Sequence, residues 1–203
     1  LFDIVDKLKY NVQTPLFEID PHKISVEQID VGTFTKYQKL MSKAIWRPAP
    51  GRKLAFLVTH EQNLLGILFL ASPVIRLSVR DEFLGIDKEK HKGTTLRSYM
   101  DISQCVGAQP ISWHWNVGKL LAMIAYTLTD FVEKRYPDDK LIGLVTSGLN
   151  GKASQYNRIY KFLGYTKGYG HEHITDEQYT DMLDWMAEHN VNIPSCRMDN
   201  GSN

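Results

Sequence analysis

The sequence is short of several things, and each shortage removes a class of function. No apolar run approaches the ~20 residues needed to cross a bilayer, so the 203 residues predict no transmembrane helix. Only two cysteines are present, Cys105 and Cys196. They lie far apart and outside any CxxC spacing, which fits two reduced thiols in a cytoplasmic protein, with a structural disulfide as the alternative. The formal net charge is +1, so the surface as a whole is no polyelectrolyte partner for nucleic acid. There is no internal repeat, no low-complexity linker, and no Walker, HExxH or Ser-His-Asp pattern. The start, Leu1-Phe2-Asp3, carries neither an initiator Met nor the charged-then-apolar layout of a signal peptide. The chain is therefore expected to be processed, truncated or a partial one.

What is there reads as a globular protein. Hydrophobic residues make up 43% and charged residues 23%, enough for one real core. Residues 1–32, interrupted by Pro15 and Pro21, are expected to form an N-terminal arm, 33–170 the core, and 171–203 a C-terminal helix and tail. Tyr37 to Trp46 has helical spacing and stops before Pro48. The apolar runs Leu54–Val58 and Leu64–Leu70, separated by a polar turn, predict an antiparallel hairpin. Ala71 and Ser72 extend its second strand to Pro73. The charged stretch Arg76 to Arg97 reads as a surface loop, and Tyr99 to Val106 as a strand. Val117, Leu120, Leu121, Ile124, Leu128, Phe131 and Val132 recur at helical steps, predicting one long helix capped by Asn116 and ended at Tyr136-Pro137. Leu141–Val145 is expected as a buried strand, Ala153–Phe162 as a second helix, and Tyr165 as the centre of a short strand. Thr175–Gln178 is a capping box for a last helix with Tyr179, Met182, Leu183 and Met186 inward. The fold class is mixed α/β.

The order of strand, turn and long helix draws attention to Trp113-His114-Trp115-Asn116-Val117-Gly118-Lys119. Unpaired backbone N–H groups at a helix start, with the helix dipole, suit an anion. Asn116, Val117, Gly118 and Lys119 are the expected ligand-binding residues, Gly118 allowing close approach. The alternative is a plain helix start.

The later blocks Ser147-Gly148-Leu149-Asn150-Gly151-Lys152 and Tyr160-Lys161-Phe162-Leu163-Gly164-Tyr165 resemble the N-acetyltransferase (GNAT) superfamily. That resemblance implies a mixed central sheet flanked by helices, and coenzyme A or another acyl donor as cofactor. Where the superfamily has two close glycines after an Arg or Gln, this chain has Asn116 and Gly118 after Trp113. From Tyr37 to Gly170, Met100–Gln104, Gly118–Leu121, Ser147–Lys152 and Leu163–Gly168 are similar to DruA-type proteins of the Druantia anti-phage system. These are akin to the Mom enzymes that place a carbamoylmethyl group on adenine in phage DNA. The resemblance implies DNA as partner.

On this reading Asp101, His114 and Tyr160 are the catalytic candidates: Asp101 as a base, His114 as a base or stacking partner, Tyr160 as a proton donor to a leaving group. Their alternatives are a hydrogen-bonded strand-end aspartate, a partly buried histidine and a core tyrosine. Tyr156 shares a face with Tyr160 one turn away. Ser147 and Asn150 are expected beside the donor. Trp113 and Trp115 offer faces for base stacking or serve as core aromatics, and Lys152, Arg158, Lys161 and Lys167 form an acid-free basic stretch for phosphates. An acidic stretch from Glu172 to Asp199 follows. His171 and His173 can approach one metal ion but have no third ligand. The leading expectation is a transferase acting on a nucleic-acid base, adenine in DNA foremost. Its rivals are a non-catalytic module binding DNA or a defence protein, and an acetyl-CoA-dependent N-acetyltransferase.

Overall fold

In the computed structural model, residues 19–42, 50–86, 92–148, 155–166 and 176–189 are described. The chain divides into two compact units, Leu1–Tyr169 and Gly170–Asn203. The first unit is built on a five-stranded sheet in the order β1-β2-β3-β4-β5. Its strands are β1 (Ile24–Ile29), β2 (Lys53–His60), β3 (Asn63–Ala71), β4 (Tyr99–Gly107) and β5 (Gly143–Val145). All pairs are antiparallel except β4–β5, which is parallel.

The hairpin forms where its apolar runs predict, with Phe56 opposite Leu68 and Ala55 opposite Phe69. Both runs are apolar at nearly every position because both sheet faces are covered. On one face helix α1 (Val31–Met41) sets Phe34 against Phe69, ring centroids 5.0 Å apart. On the other, Phe131 meets Phe56 edge-on at 5.3 Å. A parallel pair needs a long crossover. Residues 108–142 supply it through α4 (Ile111–His114), α5 (Val117–Ile124), a 3-10 turn (Ala125–Leu128) and α6 (Thr129–Arg135). The expected long helix is thus two helices joined by a tighter turn. Its apolar stripe is intact, with Val117, Leu121, Ala125, Leu128 and Val132 all buried.

Gly66 on β3 lies opposite Gly107 on β4, both beneath α5. A Cβ on Gly66 would stand 2.5 Å from Leu121 Cδ1 and 2.5 Å from the Val106 carbonyl, one of them backbone. Gly66→Ala is therefore expected to cost about 2–3 kcal/mol, read as a lowered midpoint in urea. A cost under ~0.5 kcal/mol would mean that the helix retreats freely.

Several expectations are corrected. Residues 24–29, within the expected arm, form β1 on the outer side of β2. Helix α1 begins at the Asp30 cap, whose carboxylate accepts from the Thr33 amide at 2.9 Å, well before Tyr37; residues 43–49 lie outside the described residues. The strand β3 ends at Ala71. The stretch from Arg76 to Arg97 holds two short helices, α2 (Ser78–Phe83) and α3 (Lys92–Arg97). Within it Arg80 and Asp81 are buried and paired at 2.5 Å. The strand at 141–145 is reduced to three half-buried residues, because it forms the sheet edge. Residues 155–160 are turns and not helix, since Arg158 takes a φ of 71° that an α-helix cannot accommodate. Tyr165 lies in no strand. The second unit has helix α7 (Asp176–Glu188), and on it Met182 and Leu183 are exposed where an inward face was expected.

Candidate functional site

The parallel pair closes early. β5 matches only Tyr99, Met100 and Asp101 of β4, and Thr146 then donates its hydroxyl to the Ile102 carbonyl at 3.2 Å. Beyond that point β4 continues to Gly107 with no β5 residue beside it among the described residues. A bulge between Ile102 and Gln104 leaves Ser103 unmatched. Consequently Asp101, opposite Ala71, shares the face of Phe69, whereas Cys105, opposite Leu68, faces α5.

Residues 155–160 fill the space beside this free edge by lying along α5. Lys119 Nζ donates to the Asn157 carbonyl at 2.9 Å, the Tyr126 hydroxyl to that of Ile159 at 3.2 Å, and the Tyr160 hydroxyl to that of Ala122 at 3.1 Å. Positions 119, 122 and 126 recur at three- and four-residue steps and therefore share one face of α5 and the 3-10 turn that follows it. The rings of Tyr126 and Tyr160 stack at 5.0 Å. This docking aims Tyr156 at the seam, where its hydroxyl meets Thr146, Gln155 and the Cys105 thiol.

The electrostatics of the seam follow from burial. It raises Asp101 to about 7, against a smaller opposing pull from the Arg80 charge. Among the described residues no hydrogen bond to the Asp101 carboxyl is found, and solvent still reaches it. Burial pushes the Cys105 thiol up to about 12, softened by Tyr156, which makes it a poor nucleophile near neutrality. Tyr156 rises to about 12, mainly by burial and then by the Cys105 charge. Tyr160 is pushed well above the ordinary phenol range by burial and by Tyr126. Of these groups Asp101 alone can exchange a proton near pH 7.

The helix start differs in use from the expected anion site. The Asn116 side chain accepts from the Lys119 amide at 3.0 Å, its carbonyl from the Leu120 amide at 3.2 Å, and the Val117 amide bonds back to Trp115 at 2.7 Å. Gln155 sits over Gly118, with Oε1 2.8 Å from where a Cβ would be. The space that glycine leaves is thus taken by the protein itself. Gly118→Ala is expected to cost under ~1 kcal/mol, because that neighbour is the tip of a flexible side chain; a thermal melt beside Gly66→Ala checks the contrast. An open cleft of about 530 Å³ adjoins this point, lined by Met41, Gln109, Ser112, Trp115, Asn116 and Gln155 among others, none of them charged. With Lys119 committed to Asn157 and no cation among the described residues of the lining, these residues do not fit a coenzyme A pyrophosphate.

The remaining candidates are scattered. Val117 is core, Ser147 is exposed past β5, and Trp115, Arg158 and Lys161 are exposed. Lys161 stands 4.3 Å over the Phe83 ring. The side chains of Trp113 and His114, and residues Asn150, Lys152, Lys167, His171 and His173, lie outside the described ones. Among the described residues no three His, Cys, Asp or Glu side chains are grouped to hold a metal. Sequence reasoning missed Cys105, Thr146 and Arg80 at the seam. The only local signal was the alternation that puts Cys105 and Gly107 on one strand face.

Comparison with known proteins adds a family. The family model described as Druantia protein DruA matches residues 36–203. A curated relative of that description from Escherichia coli (strain UMEA 4076-1) is 30% identical over 199 residues, covering 84% of this chain and 49% of the relative. The chain therefore spans about half the length of the curated relative it matches. No solved structure matches it. No helix among the described residues is long and apolar enough to cross a membrane.

Proposed function

The chain belongs to the Druantia DruA family, and from that premise we propose that it is a GNAT-like transferase module that modifies a nucleic-acid base, adenine in DNA foremost, in anti-phage defence. The observation that carries this reading is Asp101. Its carboxyl, half-buried at the point where β4 loses its parallel partner, is raised by burial to about 7. A base works best when its pKa lies near the operating pH. The sheet order, with one parallel edge pair joined through a helical crossover, also agrees with the GNAT resemblance.

In the proposed step the acceptor amine nitrogen bonds to the donor carbon, the leaving group departs with its electron pair, and the amine proton passes to the Asp101 carboxylate. Tyr160 is committed to the Ala122 carbonyl; Tyr156, hydrogen-bonded within the seam, is better placed to orient the reactants. The donor is one without a pyrophosphate arm at the Asn116 helix start. Mass spectrometry of nucleosides from DNA co-expressed with the protein tests the proposal. A modified adenine is expected with the native chain and not with Asp101→Asn; unmodified bases in both sink it.

A second reading, a non-catalytic module that binds DNA or a defence protein, draws support from Gln155 lying over Gly118. It requires that substituting Asp101 or Tyr160 leave protection against phage intact.

A further inference from the structure

Helix α2 borders the Asp101 end of the seam, since the Arg80 charge acts on that carboxyl. Residues 161–165 run against the outer side of the same helix. Lys161 Nζ stands 4.3 Å above the Phe83 ring. At Gly164, φ is 147°, a value few other residues adopt, and the backbone there closes on Val79, whose Cγ1 would be 3.1 Å from an added Cβ. The result is a ledge with three open rings: Phe83 is 53% exposed, Phe162 44% and Tyr165 71%. Phe162 and Tyr165 meet edge to face at 5.3 Å. Clustered exposed rings mark a contact surface.

The charges around the ledge decide what it contacts. Within the described residues of 74–86 and 155–166, Arg76, Arg158 and Lys161 are exposed cations and Glu82 is the one exposed acid. Arg80 and Asp81 cancel each other in their buried pair. Flat rings beside cations suit a polymer of planar bases on an anionic backbone. In a duplex the base faces are already stacked, whereas an unpaired strand can lay them on Phe162 and Tyr165.

We infer that Phe162 and Tyr165, with the Lys161 cation on the same ledge, form a stacking platform for the unpaired bases of a single nucleic-acid strand. It rests on the base-modifying reading above, and it supplies what that reading needs: a base already out of its pair, beside the Asp101 seam.

Fluorescence anisotropy with a labelled oligo-dT of about 12 nucleotides, against a duplex of the same length, tests this. The single strand is expected to bind more tightly than the duplex. Tyr165→Ala and Phe162→Ala are expected to weaken it roughly 5- to 100-fold, while Phe162→Tyr keeps most of the affinity. Lys161→Gln is expected to lower the slope of log affinity on log salt by about 0.7. Equal binding of strand and duplex overturns the platform, as do ring variants that melt normally and bind unchanged. So does loss of a protein contact in those variants with strand affinity intact. Nucleoside analysis on the same variants separates the two readings. Ring-dependent strand binding without base modification keeps the platform and removes transfer; modification with ring-independent binding does the reverse.

Discussion

Asp101→Asn is expected to raise the melting temperature at pH 8 by about 4–8 °C and, under the proposed function, to end base modification. An acid moved from 3.8 to about 7 holds its anion roughly 4 kcal/mol less favourably in the fold than in the unfolded chain. Solvent still reaches the carboxyl and screens this to about 2 kcal/mol. The folded pKa lies above the unfolded one, so the folded state binds the proton more tightly. Stability is then greatest below about 3.8, falls as pH rises toward 7, and carries the whole penalty above it. Asparagine has no anion to bury. Its advantage over the native residue should therefore grow from pH 5 to pH 8 and then level off. Melts of both proteins across that range check this, with circular dichroism confirming an unchanged fold. An advantage independent of pH, or a variant that melts lower at pH 8, removes the near-neutral carboxyl and with it the argument for a base here. A group that destabilises its own fold and is kept at a seam is the usual signature of a working site.

The second large effect is structural. Arg52, just before β2, sends Nη1 to the Arg97 carbonyl at 2.6 Å and to Asp139 at 2.9 Å, and Nη2 to the Leu96 and Tyr99 carbonyls at 3.2 and 2.8 Å. Asp139, 6% exposed, also accepts from Arg97 Nε at 2.7 Å. This one guanidinium thereby joins the start of β2, the end of α3, the start of β4 and the loop after α6. Removing one partner of such a pair leaves a buried charge and three carbonyls short of donors. Arg52→Ala is expected to cost about 3–5 kcal/mol, and Asp139→Ala a similar amount. Arg97→Ala should cost under ~1 kcal/mol, because its side chain is mostly in solvent. Urea midpoints for the three variants check the ranking; a mild Arg52→Ala would show that the neighbouring backbone finds water instead.

What could be read from the sequence was local. The hairpin was legible because two apolar runs flank a short polar stretch, and the Asn116 cap because it precedes a stripe at helical steps. β1 was obscured by its setting: Ile24, Val26 and Ile29 follow two prolines, and it needs β2 to become a strand. The helix expected at Ala153–Phe162 rested on spacing alone, which cannot foresee a left-handed Arg158. At the site, Asp101 was found from its strand position, but the burial that lifts it to about 7 was not. Residues far along the chain build the seam: 155–160 arrive through hydrogen bonds to α5 spanning more than 30 residues. Nothing local announces that Gln155 will cover Gly118. Long-range packing made that choice.

The facing glycines Gly66 and Gly107 have a consequence for how the seam can deform. With no side chains between them and α5, the helix bears directly on the sheet backbone, and the two respond to load as one stiff piece. The opposite wall, residues 155–160, holds no regular helix or strand; it is tied to that piece by hydrogen bonds at Asn157, Ile159 and Tyr160 and by packing of Tyr156, Ile159 and Tyr160 on the core. Compliance is therefore greater on the side without regular backbone structure. A guest that needs more room will displace the wall carrying Tyr156 and leave Asp101 where it is, so that carboxyl keeps its address while the groups around it adjust.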